Sequence, residues 1–423
     1  MLRKFAFIVF LSIAVITAAP AQHRPGENLT LRVALLGPGD ELYFWWGHIS
    51  LLIEDSITGS RRFFDYGLFS FDNENFFVNF ALGRLIYSSG SFRADTYISS
   101  HINANRDITL FTLDIPPEWR QKVLEFVEIS MLPENRDYYY HHFDDNCATR
   151  IRDIIDIATQ GQFREQLGEK PSRFTLRQHV RRHTWFNPVV DWALNFWMGQ
   201  GIDTPITVWG DMFLPSEVAR QIEKFYFTDP DGNRRRLVSD VEVVFRSQGR
   251  PQVLEYPRTQ WPRTLAFSLA VSALLGIFSF LHTKNIRTGR VMLGISHSFA
   301  GFVFGFTGLL LYFMVLFTDH DYTFHNINML FGTPLLLAAV PLGIRYALTK
   351  DTAKFLRASL YLRILWLLSV LGIFVSMFIK LFPQFWQDNL NDQMLMLPIA
   401  LVLALQPAEL QELLNKYLRR KKL

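Results

Sequence analysis

Cysteine is almost absent from this chain: among 423 residues there is one, Cys147. No disulfide can therefore form within it. Internal repeats and low-complexity tracts are also missing, which excludes a solenoid and a disordered array. There is no basic patch interleaved with aromatics, so the formal net charge of +4 does not argue for nucleic acid. Lys and Arg are absent from two stretches of the C-terminal half, Thr318 to Asn328 and Pro383 to Gln393.

The single thiol has informative surroundings. Cys147 lies in Asp144-Asp145-Asn146-Cys147-Ala148-Thr149-Arg150, just before the helix-like run Ile151 to Ala158. A helix start favours thiolate over thiol, and the thiolate is the nucleophile. The alternative is the small buried hydrophobe that a free cysteine commonly is, and the polar neighbours weigh toward chemistry. Upstream, Trp45-Trp46-Gly47-His48 leads into the strand-like run Ile49 to Ile53, placing a candidate base at its start. Asp65, on the following strand, is the first choice to orient His48 and Tyr66 the second. Asn146 reads as a helix cap or a substrate contact, and Arg150 as a holder of an anionic head group or a partner of Asp153.

Where this chemistry takes place is set by the ends. Met1-Leu2-Arg3-Lys4, the apolar run Phe5 to Ile16 and Ala19-Pro20-Ala21 have the form of a secretory signal peptide, residues 1–21. An exported chain with one unpaired thiol invites a reactive role for it. Residues 22–245 are mixed and aromatic, enough for a substantial core. Leu29 to Leu36, His48 to Ile53, Arg62 to Tyr66 and Ile108 to Leu113 predict strands, Glu118 to Ser130 a helix opened by Pro116-Pro117, and Thr175 to Asp203 an aromatic helical segment. Residues 246–263, with Pro251, Pro257 and Pro262, read as a linker.

Residues 264–423 then carry apolar stretches at Thr264 to Leu281, His297 to Phe317, Met329 to Ala347, Ile364 to Phe382 and, more weakly, Met394 to Leu405. About 20 helical residues cross a bilayer. Lys284, Arg287 and Arg290, then Lys350, Lys354, Arg357 and Arg363, then Lys416 and Arg419 to Lys422 follow the first, third and fifth stretches, whereas the alternate loops have no such charge. Positive loops stay cytoplasmic. The expectation is five spans with an exported N-terminal domain and a cytoplasmic C-terminus, with Lys380 snorkelling from the fourth span.

Trp46-Gly47-His48 followed by Asn146-Cys147 resembles the circularly permuted papain-like thiol enzymes, the lecithin:retinol acyltransferase and NlpC-like group. Together with Phe64-Asp65-Tyr66-Gly67, Leu132-Pro133-Glu134-Asn135-Arg136, Cys147-Ala148-Thr149-Arg150-Ile151-Arg152-Asp153, Asp203-Thr204-Pro205-Ile206-Thr207 and Met212-Phe213-Leu214-Pro215, the chain resembles the bacterial Lnb-type family. The resemblance implies an α+β permuted papain-like domain followed by an all-α five-helix membrane domain in the bacterial inner membrane. It implies transfer of an acyl chain from a phospholipid to the α-amino group of a lipoprotein's N-terminal cysteine, through a thioester on Cys147. Cys147, His48 and Asp65 would be catalytic, with Tyr66, Asn146, Arg150, His320, His325 and Asn326 on the substrate side. No metal or cofactor is expected, because the Asp and His of the loop from Asp319 to Asn328 match no zinc spacing. That loop reads as substrate-orienting or simply interfacial, and Tyr138 to Phe143 as an acyl groove or core packing. A cell-wall peptidase or amidase with the same Cys/His pair is the rival reading, and a noncatalytic envelope assembly protein the third.

Overall fold

The computed structural model describes residues 24–70 and 75–406. The signal-peptide expectation and the cluster from Lys416 to Lys422 lie outside the described residues. The described chain forms two compact units. The first comprises residues up to 69, 86–170 and 207–250; the second comprises 70–85, 171–206 and residues from 251 onward.

The first unit is built on an antiparallel sheet. Its strands are β1 (Leu29–Leu36), β2 (His48–Asp55), β3 (Arg61–Leu68), β4 (Ile86–Arg93), β5 (Ile108–Leu113), β6 (Asp137–Tyr139) and β9 (Val238–Phe245), ordered β6-β4-β3-β2-β1-β5-β9. A separate ribbon joins β7 (Tyr226–Thr228) to β8 (Arg234–Arg236). The four strands expected from alternation form at those positions, since alternate side chains of a strand face opposite sides. Leu31, Val33, Leu51, Ile53 and Phe64 pack on one face against helices Pro117–Ser130, Cys147–Ala158 and Pro215–Lys224. Each such aliphatic or aromatic side chain contributes roughly 1.5–3 kcal/mol when fully buried. On the opposite face Leu36, Leu52 and Phe63 pack against Ala94 and Tyr97 of the helix Ala94–Asn103.

The second unit contains three helices long and apolar enough to cross a membrane, Trp261–Thr283, Arg287–Phe317 and Thr352–Ile379. Two shorter apolar helical segments, Pro334–Leu348 and Leu390–Ala404, pack among them. Small residues allow close approach: a Cβ on Gly294 would come within 2.5 Å of the Gly343 carbonyl oxygen, and one on Gly301 within 2.8 Å of that of Leu336.

Helices Leu176–Thr184 and Pro188–Trp197, with the turn Gln200–Asp203, belong to this second unit. Arg177 is fully buried; its Nε donates to Asp203 Oδ1 at 2.7 Å, and its terminal nitrogens donate to the carbonyls of Asn195, Met198 and Gly199 at 2.8–2.9 Å. Arg181 reaches the Asp388 carboxylate at 2.5 Å, and the Asp388 N–H donates to Asp203 Oδ2 at 3.1 Å. Removing one partner of a buried ion pair leaves an uncompensated charge, at about 3–5 kcal/mol. Asp203→Asn is therefore expected to lower the melting temperature of the full chain in detergent. Asp95→Asn, at an exposed pair with Arg61, is expected to leave it within error.

Candidate functional site

The site starts at a helix cap. Asn146 has extended backbone, and its Oδ1 accepts from the N–H groups of Ala148 and Thr149 at 2.8 and 3.0 Å. Thr149 Oγ1 accepts in return from the Asn146 N–H at 2.8 Å, closing a capping box. The Asn146 amide also donates to the carbonyls of His142 and Phe213 at 2.7 and 3.0 Å. Cys147 is thus fixed as the first residue of its helix. With Ala148 and Thr149 satisfied by the cap, the Cys147 N–H is left without an acceptor among the described residues.

Strand pairing supplies the other partners. Leu52 lies opposite Phe63, so alternation puts His48, Ser50 and Leu52 on the same face as Phe63 and Asp65. His48 Nε2 lies 2.5 Å from Asp65 Oδ1, and the Cys147 thiol is near enough to act on the charge of the ring. Tyr97 donates its hydroxyl to Asp65 Oδ2 at 2.6 Å. Hydrogen bonds therefore connect Tyr97, Asp65 and His48, with Cys147 beside the histidine. Burial works against charge on His48, but the Asp65 carboxylate and then Cys147 outweigh it and hold the imidazole's pKa up at about 10. Burial, with the charge of Asp65 added, keeps the Tyr97 hydroxyl protonated and hence a donor. His101 packs against Tyr97 with its ring tilted and is pushed down to about 4 by burial, with Arg106 adding to the effect, so it is neutral at pH 7.

Aromatic side chains surround the sulfur. Tyr87 and Tyr140 stack with ring centroids 4.1 Å apart. Gly67 lies at a register shift of β3 with φ +89°, a conformation L side chains rarely adopt. A Cβ there would sit 3.6 Å from Cys147 Cβ and 4.0 Å from the Tyr138 hydroxyl oxygen, so thiol and phenol border the same space. That hydroxyl is buried and has no hydrogen-bond partner among the described residues. Burial, and after it the charge of Cys147, raises its pKa, so it stays a donor. Arg106, 3 % exposed, donates Nε to the Gly37 carbonyl and lies over Phe44, while one terminal nitrogen has no partner among the described residues.

Of the residues singled out from sequence, Cys147, His48 and Asp65 come together. Tyr66 does not join them: alternation turns it to the other face, where its hydroxyl meets Ser130 Oγ at 2.7 Å. Asn146 serves as the cap. Arg150 pairs with Asp145 at 2.6 and 2.7 Å rather than with Asp153, which takes Arg152, and its guanidinium covers the Tyr138 ring. In the second unit, Asn326 is buried and donates to the Phe196 and Trp197 carbonyls, His320 accepts from the Tyr322 hydroxyl, and His325 is exposed. Sequence reading missed Tyr97 and Arg106, and took Tyr138 only as part of the run Tyr138 to Phe143, an acyl groove or core packing. Only Tyr97 carried a usable signal, since Ala94, Tyr97 and His101 recur on one helical face.

Because the folded-state pKa of His48 is raised above its ordinary 6.5, its pairing contributes fully below about pH 6.5 and is lost as pH rises through about 10. The melting temperature of Asp65→Asn is expected to fall furthest short of wild type near pH 6.5. The gap should narrow toward pH 10 without closing, because a neutral amide oxygen accepts from the Tyr97 hydroxyl more weakly than the carboxylate does at every pH. A gap that widens with pH would contradict this account of the pair.

Residues 21–182 match the family model of the Lnb N-terminal periplasmic domain, and residues 262–408 match that of the Lnb transmembrane domain. No curated protein and no solved structure matches the chain. With both models matched in order on one polypeptide, the chain belongs to the Lnb-type family, in which an N-terminal periplasmic domain is followed by a transmembrane domain.

Proposed function

We propose that this protein is a thiol-dependent lipoprotein N-acyltransferase of the bacterial inner membrane, moving an acyl chain from a phospholipid to the α-amino group of a lipoprotein's N-terminal cysteine. The observation that carries the reading is the hydrogen-bonded run from Tyr97 through Asp65 to His48 with the Cys147 thiol beside it, in a chain that also holds helices long and apolar enough to cross a membrane. The strand-borne histidine preceding the helix-borne cysteine supports a permuted papain-like arrangement. Five spans with a cytoplasmic C-terminus agree with loop charge once the two shorter apolar segments are counted as crossings.

In the first half-reaction Cys147 Sγ attacks the carbonyl carbon of a phospholipid ester while His48 holds the thiol proton. A C–S bond forms. The tetrahedral adduct collapses, the bond from carbon to glycerol oxygen breaks, and His48 gives its proton to the departing lysolipid alcohol. In the second, the acceptor's neutral amine attacks the thioester. The N–C bond forms, the C–S bond breaks, and an amine proton passes through His48 to restore the thiol. An α-amine with a pKa of about 7.7–8.0 is partly neutral at ordinary pH. Asp65 holds the imidazole in place, and Tyr97 fixes the second carboxylate oxygen. The Cys147 N–H and the Tyr138 hydroxyl are the two donors available to the oxyanion. Arg106 adds a fixed positive charge that acts on Cys147 and Asp65. These steps balance without a cofactor.

Confinement to a bilayer favours two lipidated substrates over a wall polymer, for which one anchor would suffice. In cells carrying Cys147→Ala or His48→Ala, mass spectrometry of lipoprotein N-terminal peptides is expected to show loss of the amide-linked acyl chain. Its persistence would overturn the reading, and altered muropeptides beside normal lipoproteins would point to a peptidase. Tyr138→Phe is expected to reduce kcat by about 10²-fold with little change in KM, as for loss of one oxyanion donor. Assays of the purified full chain with phospholipid and a lipidated peptide measure this.

A further inference from the structure

The helix Phe76–Leu82 leaves its apolar side chains uncovered: Phe77 is 69 %, Val78 56 % and Phe80 49 % exposed. Adjacent large apolar side chains on a short helix mark a surface that meets something other than water. What it meets is indicated by its attachment. The Asp319 N–H donates to the Leu82 carbonyl at 2.8 Å, and Arg84 Nε donates to Asp319 Oδ2 at 2.8 Å. The His320 ring also packs against this segment, its Nδ1 lying 3.1 Å from where a Cβ on Gly83 would sit. Contact is close enough that a Cβ on Gly83 would lie 2.9 Å from the Asp319 carbonyl carbon and the His320 nitrogen, and Gly83 has φ +76°. Asp319 and His320 immediately follow Thr318, which caps the membrane-crossing helix Arg287–Phe317. The last residues of that helix, Leu316 and Phe317, are themselves 60 % and 68 % exposed. The uncovered helix is therefore pinned beside the end of a span whose last residues also leave apolar side chains exposed.

We infer that Phe76–Leu82 is an interfacial helix whose Phe77, Val78 and Phe80 lie among the acyl chains of the leaflet at the Phe317 end of that span. It is too short to cross and lies in the interface, as apolar helical faces do at the headgroup boundary. Asp319 and His320 act as its clamp. The segment interrupts the chain between β3, which carries Asp65, and β4, so lipid contact and the catalytic strands share one stretch of polypeptide. The inference concerns lipid contact alone and does not depend on the acyl-transfer reading.

The single native cysteine makes the test direct. In full-length protein carrying Cys147→Ser and Phe77→Cys, an environment-sensitive nitrobenzoxadiazole label is attached and the protein reconstituted into phosphatidylcholine and phosphatidylglycerol vesicles. Emission is expected to shift to the blue. Lipids spin-labelled near the headgroup end of the acyl chain should quench it at least twofold more than lipids spin-labelled near the chain terminus, and aqueous iodide should quench it weakly. Val78→Cys in the same background carries the test if the Phe77 variant does not fold. Water-like emission with strong iodide quenching would overturn the inference. So would blue-shifted emission without lipid quenching, which would mean that protein covers the face, and so would preferential quenching from the chain terminus.

Discussion

The side chain of Asn146 is the constraint on which the rest of the site depends. Its oxygen takes the second and third N–H groups of the Cys147–Ala158 helix, and its amide is tied to the His142 and Phe213 carbonyls. The start of that helix therefore cannot slide by a residue without breaking hydrogen bonds on both sides of the cap. Because the thiol is the first helical side chain, fixing the cap fixes the sulfur. The same arrangement leaves the Cys147 N–H outside the cap, so capping and the proposed oxyanion contact follow from one division of donors.

Opposite the cap, the sheet acts by alternation. His48 and Asp65 meet because β2 and β3 pair with Leu52 opposite Phe63. A register slip of one residue would turn Asp65 to the core face and bring Tyr66 toward the histidine. Tyr97 then holds the second carboxylate oxygen from a helix packed on that face, which removes the freedom of Asp65 to rotate away. Burial alone would make His48 a poor cation, and it is the ordered carboxylate and sulfur that reverse the sign.

Some of this was legible in the sequence. The strands at Leu29 and Ile108, the proline-opened helix and the thiol at a helix start follow from patterns a few residues long. β4 escaped notice because Ile86 to Arg93 mixes Ser, Gly and Tyr, and β9 because as an edge strand it keeps most side chains in solvent. Tyr138 and Arg106 matter through unpaired atoms, which no residue pattern encodes. Polarity also separated residues 171–206 from the apolar helices, yet their arginines are satisfied by carboxylates and carbonyls of the unit containing those helices. A charged helix reads as soluble until its partners are known. Notably, the matched periplasmic segment ends at residue 182, inside the helix that carries Arg177 and Arg181.

The solitary thiol has a redox consequence. A sulfenic acid formed at Cys147 would find no second cysteine in the chain to condense with, so further oxidation to sulfinic acid would be irreversible. The chain's own defences are steric, since Cys147 is only 9 % exposed beneath Tyr87, Tyr138 and Tyr140. In the proposed mechanism a sulfur that already carries an acyl group offers no lone thiolate to oxidants, so in an oxidising compartment the loaded state would also be the protected one.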